Sequence, residues 1–334
     1  MVTSFLFFLV IIFSYLFTEL IRRYYLNSKV LDIPGDRDLH LIPKPRGGGL
    51  SFVIIFLIVV IFSDLIPINI VFALVGSGIL VAVIGYCDDQ GHIAARWRLL
   101  SHFSAAFWTL FYLGGLPEFY FLGLSIDAGW IGFVIVAFIL VWLLNLFNFM
   151  DGIDGIAASE AIFVSCGGAF FSWLNGAEGL AYISLTLAAS TMGFLFLNWY
   201  PAKIFMGDVG SGFLGIILGV IAYANIIDGC SVWIWFILLG VFLVDSGITL
   251  LRRIINRDKL YKAHCSHAYQ HAAQKWGHKR VSIIVIIINL FWLFPLAIFV
   301  HSKPDLGLFF LLIAYIPLIF VALKFKAGLK QTDD

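Results

Sequence analysis

Residues 130–147 read WIGFVIVAFILVWLLNLF, and the polar string NFMDGIDG follows directly at 148–155. A helix needs about 20 predominantly apolar residues to cross the ~30 Å hydrocarbon core of a bilayer. An uncharged run of this length reads as such a span. Comparable runs recur at roughly 3–21, 50–66, 69–87, 100–116, 156–174, 179–197, 212–228, 232–251, 282–301 and 305–323. The expected fold class is therefore all-α: a polytopic membrane protein of about eleven transmembrane helices, with 1–334 forming one integral-membrane domain.

Composition supports this reading. Of 334 residues, 61% are hydrophobic and 12% charged, against roughly 45–50% and about 25% in soluble domains. That excludes a secreted module, a cytosolic enzyme and a nucleic-acid binder, whose partner demands clustered basic charge. Cys87, Cys166, Cys230 and Cys265 show no paired spacing, so neither a disulfide framework nor a thiolate metal site is expected. The first run lacks a basic lead and is followed by Arg22–Arg23, which makes it an anchor rather than a signal peptide.

Lys and Arg accumulate in the cytoplasmic connections of membrane proteins. With the N-terminus outside and the C-terminus cytoplasmic, 20 of the 21 basic residues fall inside, leaving Lys303 outside. The same topology gathers the dense polar motifs on the cytoplasmic face, in loops 22–49, 88–99, 148–155, 198–211 and 252–281. Five polar clusters on one side of a membrane point to one site built from several loops.

Asp88–Asp89 ends an apolar run, where adjacent like charges require a cation or solvent; magnesium suits them, since it takes carboxylate oxygens and bridges to substrate phosphates. A solvated helix end is the plain alternative. Asn145, Asn148, Asp151 and Asp154 recur in steps of three, a polar stripe on a helix. Such a stripe entering an apolar span marks function by default, although interhelical hydrogen bonding would also account for Asn145. Asp208, within MGDVGS at 206–211, has small neighbours whose open N–H groups suit a phosphate or a metal, or it is a turn or helix cap. Asp245 either pairs with Arg252–Arg253 or faces the site. His264, His267 and His271 share a helical face. No carboxylate or cysteine pattern frames them as a zinc site, and hydrogen bonding to phosphates is the preferred use. Arg46 with Gly47–Gly49 is a second candidate phosphate cradle or a flexible lead into the next span. Together these are components of phosphoryl transfer, which rests on positioning and charge neutralisation.

PRGGGL (45–50), the Asp pair, NLFNFMDGIDGIA (145–157), NWYPAKIFMGDVGSGFLG (198–215) and HCSHAYQ (264–270) resemble the motifs of the polyprenyl-phosphate N-acetylhexosamine-1-phosphate transferases, glycosyltransferase family 4. The resemblance spans nearly the whole chain. It implies a Mg2+-dependent enzyme, with Mn2+ as a substitute, that moves a sugar 1-phosphate from a UDP-N-acetylhexosamine to undecaprenyl phosphate and releases UMP. The implied setting is the bacterial cytoplasmic (inner) membrane, multi-pass, with membrane lipid as a partner, no nucleic acid, and a homodimer as a candidate assembly. It assigns Asp208 as the leading metal ligand with Asp89. Asp88 and Asp89 serve the acceptor phosphate or metal, and Asn148, Asp151 and Asp154 the nucleotide sugar. His264 and His267 serve the donor phosphates, and Arg46 and Lys203 are further substrate contacts. The implied catalytic set is Asp88, Asp89, Asp151, Asp154 and Asp208.

Departures narrow the substrate. His264–Cys265–Ser266–His267 stands where the peptidoglycan branch has a histidine triplet, so a muramyl-pentapeptide donor is not expected. Gln90, Gly91 and His92 follow the Asp pair where that branch usually has Lys, with Arg96 or Arg98 as substitutes, and Cys265 replaces a usual Arg. HAYQ and VDSGITLLRR (244–253) look most like enzymes initiating O-antigen or other surface polysaccharides. A GlcNAc-1-phosphate transferase for another cell-wall polymer is the alternative. A transporter, from a different class, would instead place charges near mid-bilayer and on both faces.

Overall fold

The computed structural model describes residues 2–28, 31–32, 43–91, 93–115, 119–121, 124–126, 128–258 and 265–329. Each apolar run identified in the sequence contains a helix, although the 50–66 run is helical only to Ile61. The helices are α1 (Val2–Asn27), α2 (Leu50–Ile61), α3 (Ile68–Gln90), α4 (Ala95–Leu113), α5 (Gly129–Met150), α6 (Ile156–Leu174), α7 (Glu178–Asn198) and α8 (Asp208–Ile227). They continue with α9 (Val232–Leu238), α10 (Gly240–Ile255), α11 (Ala268–Trp276), α12 (His278–Ile288), α13 (Phe294–Ser302) and α14 (Gly307–Lys324). Among the described residues, the strands are confined to two short antiparallel ribbons. One pairs β1 (Leu31–Asp32) with β2 (Lys44–Pro45), the other β3 (Phe119–Phe121) with β4 (Leu124–Ile126).

Among the described residues, eight helices are long and apolar enough to cross a membrane, and nine if one bent pair counts as a span. This is an integral membrane protein. The eleven runs divide as they do for local reasons. With 12 residues, α2 is only about 18 Å long at 1.5 Å per residue, short of the ~30 Å core. Arg96 and Arg98 lie in the first turn of α4, which lowers its apolarity. The 232–251 run is not one rod: α9 and α10 meet at 76°, and the break falls at Leu239–Gly240, where glycine is a poor helix former. A bend frees backbone carbonyls that hydrocarbon cannot satisfy. Here the Tyr315 hydroxyl of α14 donates to the Phe236 carbonyl at 2.8 Å.

The central helix is α8, with 89% of its span buried inside the protein against 22% for α1. It can be enclosed because of its glycines. A side chain on Gly49 would run into the Gly210 backbone, so the loop before α2 and the first turn of α8 pack main chain to main chain. Around α8 the helices α3, α5 and α7 finish at the same end of the bundle where α2, α4, α6 and α8 begin. The polar motifs therefore converge.

Candidate active site

Asp88 and Asp89 sit at the C-terminal end of α3, where the helix dipole is unfavourable to negative charge, and Arg98 sits at the N-terminal end of α4, where positive charge is unfavourable. The chain solves both by crossing them: Arg98 Nη1 bonds Asp88 Oδ2 at 2.6 Å. Asp88 Oδ1 also accepts the Ile93 N–H at 2.7 Å, closing the turn between the two helices.

Asp208 opens α8, where a carboxylate is favoured. Its Oδ1 accepts from Arg46 Nη2 at 2.7 Å and Asn148 Nδ2 at 3.1 Å, and its Oδ2 from Arg98 Nη1 at 3.3 Å. Arg98 Nη1 thus bridges the Asp88 and Asp208 carboxyls. Asn148 also bonds Ser211 Oγ at 3.2 Å. Arg46, Asp88, Asn148 and Asp208 thus form one cluster drawn from four separate segments. Through Asn148 and Asp208 it lines a small cleft between α3, α4, α5 and α8, whose walls include Val81, Ile84 and Leu144 as well as Arg98, His102 and Asn145.

Asp89 differs from its neighbour. Its two oxygens accept the N–H groups of Asp208 and Val209 at 2.9 and 3.1 Å, and Oδ1 also meets Arg46 Nε at 2.9 Å. The side chain is 2% exposed, against 17% for Asp208. It clamps the start of α8. Gly207 lies left-handed at φ +77°, and a Cβ there would strike Asp89 Oδ2 and the Gly47 backbone, so this junction requires glycine. Parallel bonds from Gly48 N–H to Phe205 O and Gly49 N–H to Met206 O, both 2.9 Å, hold the 45–49 segment against 205–207.

Residues 71–226 match the family model for glycosyl transferase family 4. A probable undecaprenyl-phosphate N-acetylglucosaminyl 1-phosphate transferase of Bacillus subtilis is 29% identical over 312 residues, covering 90% of this chain and 87% of its own. A phospho-N-acetylmuramoyl-pentapeptide-transferase of Kosmotoga olearia is 30% identical over 247 residues, covering 69% of this chain and 76% of its own. The chain belongs to glycosyl transferase family 4. A third family member, a decaprenyl-phosphate N-acetylglucosaminephosphotransferase of Mycolicibacterium smegmatis, is 30% identical over 234 residues, 62% of this chain and 56% of its own.

The remaining sequence candidates fall in different places on this family 4 chain. Asp151 caps the end of α5 beside the cluster, facing Arg46, Asp208 and Asp89. Enclosure by protein pushes its carboxyl well above the usual range, reinforced by Asp208, Asp89 and Asp154 and opposed by Arg46. Asp154 is buried and fully engaged. It accepts the Ala202 N–H at 2.9 Å and faces Lys44 Nζ at 3.9 Å and His278 Nδ1 at 3.5 Å. Burial would raise its carboxyl, but these three partners hold it below the ordinary value. Its backbone carbonyl accepts from Ser282 Oγ at 3.1 Å. Asp154 is thus a knot between three segments.

His267 is not presented to the cleft. It is 2% exposed and N-caps α11 in a reciprocal capping box with Gln270, and its Nδ1 lies 3.3 Å from Asp245. Asp245 turns instead to the start of α11. It accepts the Ala268 and Tyr269 N–H groups at 2.9 and 2.8 Å, as the dipole of α11 favours. The HAYQ string acts through Tyr269, whose hydroxyl donates to the Phe149 carbonyl at 2.9 Å and packs against Gly152. It docks α11 onto the MDGIDG loop. Lys203 is exposed on the connection before α8. His264 lies outside the described residues, as does His92.

Three contributors were missed. His102 lines the cleft, and its position four residues after Arg98, on the same helical face, was the available signal. His278 and Lys44 meet at Asp154 across more than a hundred residues each, a convergence no spacing encodes. Among the described residues no group of three or more His, Cys, Asp or Glu forms a preassembled metal cage. Asp88 and Asp208 do place two carboxyls together beside the cleft. An all-oxygen pair fits Mg2+, which takes its other ligands from water and substrate phosphates.

Proposed function

We propose that the protein transfers an N-acetylhexosamine 1-phosphate from a UDP-sugar to undecaprenyl phosphate, with release of UMP, at the cytoplasmic face of a bacterial inner membrane. The observation that carries this is the convergence of Asp208 and Asp88 on Arg98, with Arg46 on the far side of Asp208, beside a cleft lined by both polar and apolar side chains. The arginines suit a phosphate, and Val81, Ile84 and Leu144 offer apolar surface beside it.

The acceptor phosphate monoester has a second pKa near 6 and is largely dianionic at neutral pH, so no strong general base is needed. One of its oxygens attacks the sugar-bearing phosphorus and forms the new P–O–P bond. The bond from that phosphorus to the bridging oxygen breaks, and UMP leaves with the electron pair. Arg46 and Arg98 neutralise phosphate charge, and the Asn148 amide orients Asp208. Asp208, with Asp89 or Asp88 beside it, would hold Mg2+, which would supply Lewis-acid neutralisation of the phosphate oxygens. A covalent phospho-aspartyl route through the same carboxylates is the alternative. The tight knot at Asp154 holds the 148–155 loop in place.

The reading keeps eleven crossings, with α2 and α4 counted and α9–α10 taken as one, and with the N-terminus outside. The names of the Bacillus and Mycolicibacterium relatives favour GlcNAc 1-phosphate. The HAYQ and VDSGITLLRR strings favour initiation of an O-antigen or similar surface polysaccharide, with 6-deoxy N-acetylhexosamines within range. Purified protein with undecaprenyl phosphate, Mg2+ and a panel of UDP-N-acetylhexosamines should release UMP and form a lipid-linked sugar pyrophosphate. No UMP from any donor would refute the proposal.

A further inference from the structure

Glu160 is the fifth residue of α6, beyond the MDGIDG loop, and is completely buried. Its Oε2 accepts a hydrogen bond from Asn289 Nδ2 at 2.6 Å. Asn289, 1% exposed, begins a π-helical turn over Asn289–Leu293 that joins α12 to α13. That turn has a cause in the sequence. Pro295 has no N–H to give to the preceding turn, and the Phe294 N–H reaches the Asn289 carbonyl five residues back.

The pair is one hydrogen atom short. Glu160 Oε1 and Asn289 Oδ1 are both buried and both lack a hydrogen-bond partner. A carboxylate oxygen and an amide oxygen can only accept, so an ionised Glu160 leaves two bare acceptors on adjoining side chains. Asn289 is the polar side chain that acts on this carboxyl, and no Lys, Arg or His does so among the described residues. An uncompensated carboxylate inside an apolar span is costly enough that the group neutralises instead.

We infer that Glu160 is a neutral carboxylic acid whose Oε1–H donates to Asn289 Oδ1, closing a two-hydrogen-bond ring between α6 and α12. The proton comes from water when the helices pack. Ser282 lies seven residues before Asn289, two turns along the same face of α12, and donates to the Asp154 carbonyl. Fixing Asn289 against α6 therefore fixes the register in which α12 meets the Asp154 loop. Glu160 is a positioning residue, and the ring is independent of which sugar is transferred.

The decisive variant is Glu160→Gln, in which an amide replaces the acid and reproduces the same neutral ring. The infrared difference spectrum of wild type minus E160Q, in lipid vesicles at neutral pH, should contain the C=O stretching band of one protonated carboxylic acid. E160Q should melt with the wild type, whereas E160A, which breaks the ring, should melt lower and raise the donor KM more than it lowers kcat. Loss of carboxylate bands instead of the acid band, or an E160Q protein melting well below wild type, would overturn the inference. The spectrum and the melting curves need no enzymatic turnover, so their failure is separable from failure of the proposed reaction.

Discussion

Asp89→Asn should destabilise the protein as well as inactivate it, although Asn is nearly the same size. Asn keeps one carbonyl oxygen, so one of the two N–H groups at the head of α8 retains a partner. The other faces an NH2 group, and the Arg46 Nε ion pair at 2.9 Å is lost. Removing one partner of a buried ion pair costs about 3–5 kcal/mol, and a lost hydrogen bond to a charged group about 1.5–3 kcal/mol. Two factors offset this. Arg46 keeps Asp208 and is 38% exposed, and the Asp89–Asp208 repulsion disappears. The expected loss is therefore at the low end, about 3 kcal/mol, or roughly 6 °C at about 2 °C per kcal/mol for a long chain. Intrinsic fluorescence of the 10 tryptophans during heating in detergent micelles would measure it. A ligand that only held metal would lose activity and keep its melting point. An Asp89→Asn protein that melts with the wild type would refute the clamp.

Asp208→Asn should lower UMP release by orders of magnitude while the melting curve stays close to wild type, because loss of the Arg46 and Arg98 ion pairs is offset by relief of the repulsion from Asp88 and Asp89; a large fall in thermal stability would contradict this. For Asp151 the folded pKa is raised, so its contribution to stability is present below the usual carboxylate value of about 4 and is lost as pH rises through the folded value. Asp151→Asn should therefore melt with a shallower decline between acidic and neutral pH than the wild type, measured across a buffer series. His267→Ala should destabilise by about 1–2 kcal/mol through loss of the α11 cap and its Asp245 contact, seen as earlier unfolding. A wild-type melting point with altered donor kinetics would instead return His267 to the substrate.

The apolar spans were legible in the sequence because hydrocarbon admits few solutions: uncharged runs near 20 residues become helices. The convergence of Arg46, Asp88, Asn148 and Asp208 was legible too, since each borders a span and the loops alternate between two faces. Hydropathy does not report direction, however, and the 76° bend inside 232–251 was invisible to it. Nor does adjacency separate roles. Asp88 and Asp89 differ by about 100° around α3, and only the position of α8 decides which carboxylate meets backbone N–H groups. Asp154, Asp245 and His267 carry the same chemistry as catalytic residues, but partners distant in sequence use it to hold loops and helix ends together.

The bend between α9 and α10 bears on how the chain is made. The carbonyl of Phe236 is satisfied by Tyr315, 79 residues later, so ribosomal order matters. When α9 and α10 enter the membrane, the donor for that carbonyl has not yet been synthesised. The same late segment supplies the Ala327 carbonyl to Arg252 at 3.0 Å and the Gly328 N–H to the Ser266 carbonyl at 2.7 Å. The bend and the segment leading into α11 are thus finished from the C-terminal end, after the rest of the bundle is in place.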